Sequence, residues 1–315
     1  MGVVYVTSQN RKAGKTMVSM ALACIASDEQ TSVSLLRIGG QDPTSGDLET
    51  VSGQGNIRLS MLDDASVSDV VNAVKAESSS GSLVVVDSSG DMSVSDHVEI
   101  VDETKAKVLL VSDFRDKDSS LPYAQKFKGN ILGILINCLT AYGRTEAVDK
   151  IIPSFQDSDV QVLGLIPEDR TLLSLTVGQI SELLGGRFFT GAEYSARLVE
   201  NFMVGGFGMD PGEYIFSTRN KKAVIVRGDR PDVQMSALQT EMQCFIFTRG
   251  MEPIEYVKYE CDEEEVAGII VDMDTIETMK AVGPLQLHAR FDHRDKLDKA
   301  KKLLADVTDV KTITG

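Results

Sequence analysis

The chain has 315 residues, 42% of them hydrophobic, and a formal net charge of −15. That is length enough for two domains with a core each, and no apolar run approaches the ~20 residues of a membrane span. So acidic a surface repels nucleic-acid phosphate and anionic lipid, so neither a nucleic acid nor a membrane is an expected partner. Cys24, Cys138, Cys244 and Cys261 stand far apart with no CxxC, and His97, His288 and His293 show no metal-ligand spacing. With no basic-then-apolar leader at the N-terminus, these features together point to a reducing cytoplasm.

The first element is the apolar run Val3-Val4-Tyr5-Val6, read as a strand at the very start of the chain. Residues 8–16 follow it, Ser-Gln-Asn-Arg-Lys-Ala-Gly-Lys-Thr, and a helical pattern over 17–26 comes next. Strand, loop, Gly-Lys-Thr and helix in that order form the context of a phosphate-binding loop. The loop and first helical turn aim backbone N–H groups at one spot that the helix dipole makes positive. Asn10 and Gly14 belong to this loop, Lys15 is placed to reach terminal phosphates, and the Thr16 hydroxyl is placed to help hold Mg²⁺. The standard spacing has a further glycine where this chain has Gln9.

Further apolar runs at 33–38, 83–86, 108–111, 131–136 and 160–166 are near-continuous rather than alternating, which suits strands buried on both faces of a parallel sheet. Helical stretches at 67–76, 122–128 and 144–155 lie between several of them. The predicted class is α/β, a parallel sheet with helices on both faces, and its strand tips gather around the phosphate loop. Asp87 ends one buried run and is the second candidate ligand of Mg²⁺, with a helix-cap or turn role as the alternative. Asp113 holds the same position on the next run and is a weaker candidate. Residues 39–56, rich in Gly, Asp, Ser and Thr, read as a long surface loop over the site.

With these residues in place, the first ~190 positions resemble the dethiobiotin-synthetase-like (BioD-like) P-loop family. The resemblance rests on the glycine-poor loop ending at Gly14-Lys15-Thr16, on Asn137 at the end of a late strand, and on the turn Gly164-Leu165-Ile166-Pro167. It implies ATP with Mg²⁺ as cofactors, with Asn137 reading adenine and Pro167 lying beside the base. The block Gly164-Leu165-Ile166-Pro167-Glu168-Asp169-Arg170, with Leu172, Thr176-Val177 and Leu183-Leu184-Gly185-Gly186, is similar to the BioD-like module at the amino end of long phosphotransacetylases. One departure is Arg37, which stands where that family carries a substrate lysine. A guanidinium does not readily give up a proton, which argues against a diamino-acid carboxylating synthetase. A phosphotransacetylase catalytic domain needs roughly 300 further residues, so acetyl phosphate synthesis is not expected.

Past a connection at 205–208, a strand at 223–226 leads into Arg227-Gly228-Asp229-Arg230-Pro231-Asp232, then a helix near 233–241, a strand at 244–247 and Thr248-Arg249-Gly250. This resembles the DRTGG domain, with Arg249 replacing the first glycine of its Thr-Gly-Gly. A strand at 268–271 followed by Asp274-Thr275 fits as well. The domains are therefore read as 1–190 and 205–315. Asp229, Arg230, Thr248 and Gly250 are candidates for a second ligand site, or else they only pair and cap locally. Residues 194–204 read as a connecting helix, 262–265 as an acidic helix start, and 294–306 as a final amphipathic helix through Leu297, Ala300, Leu303 and Leu304.

Three functions follow. The favoured one is an ATP- and Mg²⁺-binding regulatory or sensor protein, without phosphotransacetylase catalysis, whose second domain takes a ligand or partner. The alternative is an ATP-dependent synthetase or ligase of the dethiobiotin synthetase or cobyrinic acid amidase type, for which no catalytic base is visible beyond Lys15, Arg37 and Asp87. The third is a fold that only assembles. The resemblance implies a homodimer.

Overall fold

The computed structural model describes residues 2–39, 49–52, 54–156, 158, 160–206 and 212–314. Most of the 39–56 loop, and residues 207 and 208 of the expected connection, lie outside them. The chain divides into two compact units, one made of Met1–Asp169 with Phe291–Gly315 and the other of Arg170–Arg290.

The first unit is built on seven parallel strands: β1 (Val3–Thr7), β2 (Val33–Ile38), β3 (Ile57–Leu62), β4 (Leu83–Asp87), β5 (Lys107–Asp113), β6 (Ile131–Leu139) and β7 (Val162–Pro167). Their order is β3-β2-β4-β1-β5-β6-β7. Every residue of β1 and β4 is buried, as their unbroken apolar sequence requires. The strand order reverses at β1, and in open parallel sheets ligands bind at the carboxyl ends beside such a switch point. Register brings the candidate residues to that edge: Arg37 lies opposite Asp87, Val6 opposite Asp87, and Asp113 opposite Asn137. β3 was not expected. It is an edge strand with only partly buried residues, and its Ile-Arg-Leu-Ser alternation lacks the apolar run that marks its neighbours.

The helix Lys15–Asp28 follows the phosphate loop and buries 11 of its 14 residues. Helices at Val67–Ser78 and Val94–Thr104 begin with capping boxes, Ser66 with Asp69 and Ser93 with Asp96. The helix expected to be final forms as Arg294–Val307 and packs on Lys15–Asp28 and on β7, and a short helix, Val310–Thr314, follows it. Leu297, Ala300 and Leu304 are the fully buried stripe of Arg294–Val307, and Leu303 is half-buried.

The second unit has a two-stranded antiparallel ribbon of β8 (Leu175–Thr176) and β10 (Leu198–Val199), and a five-stranded sheet ordered β11-β12-β13-β14-β9. β11 (Asn201–Val204), β12 (Lys222–Arg227), β13 (Cys244–Thr248) and β14 (Ala267–Ile270) run parallel, and β9 (Arg187–Thr190) pairs antiparallel with β14. Two expectations fail here. Residues 194–204 form a turn and the strands Leu198–Val199 (β10) and Asn201–Val204 (β11), whose backbones pair with β8 and β12 instead of coiling into a helix. Residues 262–265 end the helix Glu255–Glu263 rather than start one, with Glu265 at φ 54° closing it. Arg197 offsets that unfavourable acid, donating to the Glu265 carboxylate at 2.6 Å.

Candidate functional site

The phosphate loop leaves β1 at Thr7 and enters its helix through Gly14. Gly14 sits at φ 97°, a left-handed conformation that costs an ordinary residue energy. A side chain there would also collide with the amide nitrogen of Asn137. That nitrogen donates to the Ala13 carbonyl at 2.9 Å, so the end of β6 clamps the loop just before its helix. Glycine is required at position 14 for both reasons.

Lys15 is 5% exposed, and its Nζ donates to Ser8 Oγ at 2.9 Å, folding back over its own loop. Burial holds its pKa below the usual lysine value, against the pull of the Asp87 carboxylate. Thr16 Oγ1 donates to Asp87 Oδ2 at 2.9 Å. Ser19, one helical turn on, donates to the Lys15 carbonyl at 2.9 Å and approaches Asp87 Oδ1 at 3.4 Å. Asp87 itself is 3% exposed. Burial pushes its pKa up, opposed first by Arg37 and then by Thr16, Lys15 and Ser19. Arg37 Nε lies 3.9 Å from Asp87 Oδ2.

Gly14, Lys15, Thr16, Asp87 and Asn137 are therefore brought together. Asn10 is not among them: it is exposed at the rim, where its amide donates to Asp116 Oδ2 at 2.6 Å. Pro167 ends β7, exposed and in register with Leu139, two residues past Asn137. Asp113 turns to Arg115, accepting from its backbone N and Nε at 2.8 Å each and from Nη2 at 2.6 Å. Burial alone would raise the Asp113 pKa, but these bonds hold it below the usual carboxylate range. Arg11 forms an ion pair with Asp91 in the segment that follows β4.

Sequence reading missed three supporting residues. Ser8 and Ser19 are hydroxyls without a motif of their own; the one available signal was Ser19's spacing of three from Thr16, which stacks both on one helix face. The third is His97, which is buried and shares a hydrogen bond of 2.7 Å between its Nδ1 and the Tyr5 hydroxyl. Burial, with Lys15 adding to it, pushes the His97 pKa down to about 4. Burial likewise drives the Tyr5 hydroxyl well above its usual value.

Oxygen donors suit Mg²⁺, which binds through one or two protein oxygens plus phosphate and water. The Thr16 hydroxyl and the Asp87 carboxylate, already in contact, supply that pair, so the residues present fit the ion. Among the described residues no three His, Cys, Asp or Glu side chains form a metal-binding group.

In the second unit the candidate residues sit on adjacent strand ends, with Arg227 opposite Thr248 in register. Asp229 and Arg230 do not pair with each other. Arg227 Nε donates to Asp229 at 2.9 Å, and Arg230 donates to Asp232 at 2.9 and 2.8 Å. Thr248 is fully buried, with its hydroxyl 3.1 Å from that of Thr275. Gly250, at φ 64°, donates its N–H to the Val271 carbonyl at 2.9 Å. Gln234 is buried behind the turn and donates to the carbonyls of Arg227 at 2.7 Å and Gly228 at 3.1 Å.

Residues 179–284 match the family model of the DRTGG domain. The second unit contains a DRTGG domain. Arg249 therefore interrupts the Thr-Gly-Gly motif without loss of the match. Among solved structures, the chain is similar to the MinC:MinD cell division complex of Aquifex aeolicus, with 16% identity and a TM-score of 0.43 over 55% of this chain and 84% of that one. It is also similar to the signal recognition particle 54 kDa protein of Aeropyrum pernix in complex with GDP, with 14% identity and a TM-score of 0.43 over 52% of this chain and 41% of that one. A third similarity is to the CBS and DRTGG regulatory region of Clostridium perfringens pyrophosphatase, complexed with its activator diadenosine tetraphosphate, with 14% identity and a TM-score of 0.32 over 44% of this chain and 56% of that one.

Proposed function

We propose that this chain is an ATP- and Mg²⁺-binding regulatory protein, in which a BioD-like P-loop unit senses nucleotide and the DRTGG domain takes a second ligand or partner. The observation that carries the reading is the Lys15, Thr16 and Asp87 group, set at the N-terminus of a helix behind a glycine held at φ 97°. The helix start supplies N–H groups and positive potential for phosphate. Lys15 would add a cation, and Thr16 with Asp87 would hold Mg²⁺, which would supply charge neutralisation to the phosphates. Asn137 serves the adenine end, its clamp on Ala13 joining base recognition to the phosphate loop. In the DRTGG domain, Asp229, Arg230, Thr248 and Gly250 mark the edge where the second ligand or partner would bind. A homodimer working in the cytoplasm accords with the resemblance, and nothing in this reading requires phosphotransacetylase chemistry.

A synthetase is the second reading. The observation that favours it is Arg37, a half-buried cation beside Asp87 that suits an anionic acceptor. Calorimetric titration of ATP with Mg²⁺, with phosphate release followed on the same sample, separates the two. Binding with negligible release is expected. Steady release stimulated by carboxylic acids would favour the synthetase, and absence of binding would overturn both.

A further inference from the structure

Arg37 is the next-to-last residue of β2 and lies directly opposite Asp87 of β4 in the parallel register. Its side chain is 15% exposed, and its Nε lies 3.9 Å from Asp87 Oδ2. The same carboxylate oxygen accepts from Thr16. The edge of Asp87 that a divalent cation would use is therefore already faced by a guanidinium. Two cations against one carboxylate edge at this separation repel strongly. Lys15 Nζ donates to Ser8 Oγ, and Arg37 is the cation that forms an ion pair with Asp87.

We propose that Arg37 distinguishes a nucleoside triphosphate from a diphosphate, by exchanging Asp87 for the terminal phosphate and so admitting the metal. The inference rests on the nucleotide reading above. The third phosphate of a triphosphate would give the guanidinium a multiply charged, fork-compatible partner at a position that the terminal phosphate of a diphosphate does not occupy. With a diphosphate, Arg37 stays on Asp87 and the metal binds poorly. Metal and triphosphate binding are then coupled, each strengthening the other by the same factor.

The test uses the full chain at pH 8. Mn²⁺ binding is followed by the paramagnetic resonance signal of the free ion, without nucleotide, with ADP, and with a non-hydrolysable ATP analogue; nucleotide affinities come from calorimetry. In the unaltered chain, Mn²⁺ is expected to bind weakly alone and with ADP, and tightly with the analogue. Arg37→Gln is expected to strengthen Mn²⁺ binding in the absence of nucleotide about tenfold or more. It is also expected to lower the triphosphate-over-diphosphate preference about tenfold. Arg37→Lys, which keeps the charge but loses the fork, should still exclude the metal while losing most of the preference; it decides the matter should the glutamine variant fail to fold. An unchanged preference in both variants, or an equal loss for both nucleotides, overturns the proposal and leaves the nucleotide reading standing. So does Mn²⁺ binding that is as tight without nucleotide as with the analogue. An unaltered chain that binds neither nucleotide overturns the nucleotide reading itself.

Discussion

Gly14→Ala tests the geometry of the phosphate loop without touching a charge. Position 14 has φ 97° and ψ 21°, and holding a non-glycine residue in a left-handed conformation costs about 1–2 kcal/mol. The new methyl group also meets Asn137 Nδ2 and must displace it, which breaks the bond from that amide to the Ala13 carbonyl. A hydrogen bond of this kind is worth about 1 kcal/mol. The expected loss is therefore roughly 2–3 kcal/mol, a fall in melting temperature of about 4–12 °C for a unit of this size. Asn137→Ala alone should cost about 1 kcal/mol. In the double variant the methyl group no longer meets an amide, so its cost should fall short of the sum by about 1 kcal/mol. Scanning calorimetry on the three variants checks this, with ATP titration of each beside it. A strictly additive double variant, or Gly14→Ala melting within a degree of the unaltered chain, would refute both the clamp and the strain.

Other outcomes follow from the same coordinates. Lys15→Ala removes a desolvated cation at a loop-to-helix junction, so calorimetry should show ATP binding lost and melting temperature held or slightly raised. Leu304→Ala empties a fully buried position on the helix Arg294–Val307, and urea denaturation should show a loss of about 2–5 kcal/mol. His97 has a folded pKa near 4 against an ordinary value of 6.5. The unfolded chain therefore binds the extra proton first as pH falls, and the histidine's contribution is complete above pH 6.5 and lost as pH drops from there towards 4. The total is about 3 kcal/mol by linkage; denaturation at pH 7, 6 and 5 should show this slope, and His97→Gln should remove it.

The strands that sequence showed most clearly are those buried on both faces. β1 and β4 are apolar throughout because helices cover both sides, and this is the pattern that separates a parallel sheet from a half-solvated one. β3 escaped because an edge strand can afford alternation, and six residues of alternation resemble a loop. Residues 194–204 escaped for a different reason. Their pattern permits either a helix or a strand, and the choice is made by β12, a partner many residues further on. The helix Arg294–Val307 shows the same limit in milder form: Leu297, Ala300 and Leu304 announced an apolar stripe, but sequence periodicity carries no information about which surface will cover it.

Site residues divide along a similar line. Gly14, Lys15 and Thr16 are legible because their roles are local: one backbone conformation and two side chains on a first helical turn. Asp87 and Asn137 are legible because parallel register sends strand ends to a common edge, so the last polar residue of a buried run falls there. Ser8, Ser19 and His97 depend on where a side chain turns after the fold is set, and hydroxyls are too common to stand out. The charged turn of the DRTGG domain carries the reverse lesson. Asp229 and Arg230 attracted notice as the Asp-Arg of a DRTGG-like turn, and each takes its partner two residues away, in Arg227 and Asp232. Both ion pairs are solvent-facing and individually worth little to stability. Arg227→Gln with Arg230→Gln should therefore leave the melting temperature nearly unchanged while weakening any anionic ligand held at that edge. A large drop in melting temperature would assign these charges to the fold instead.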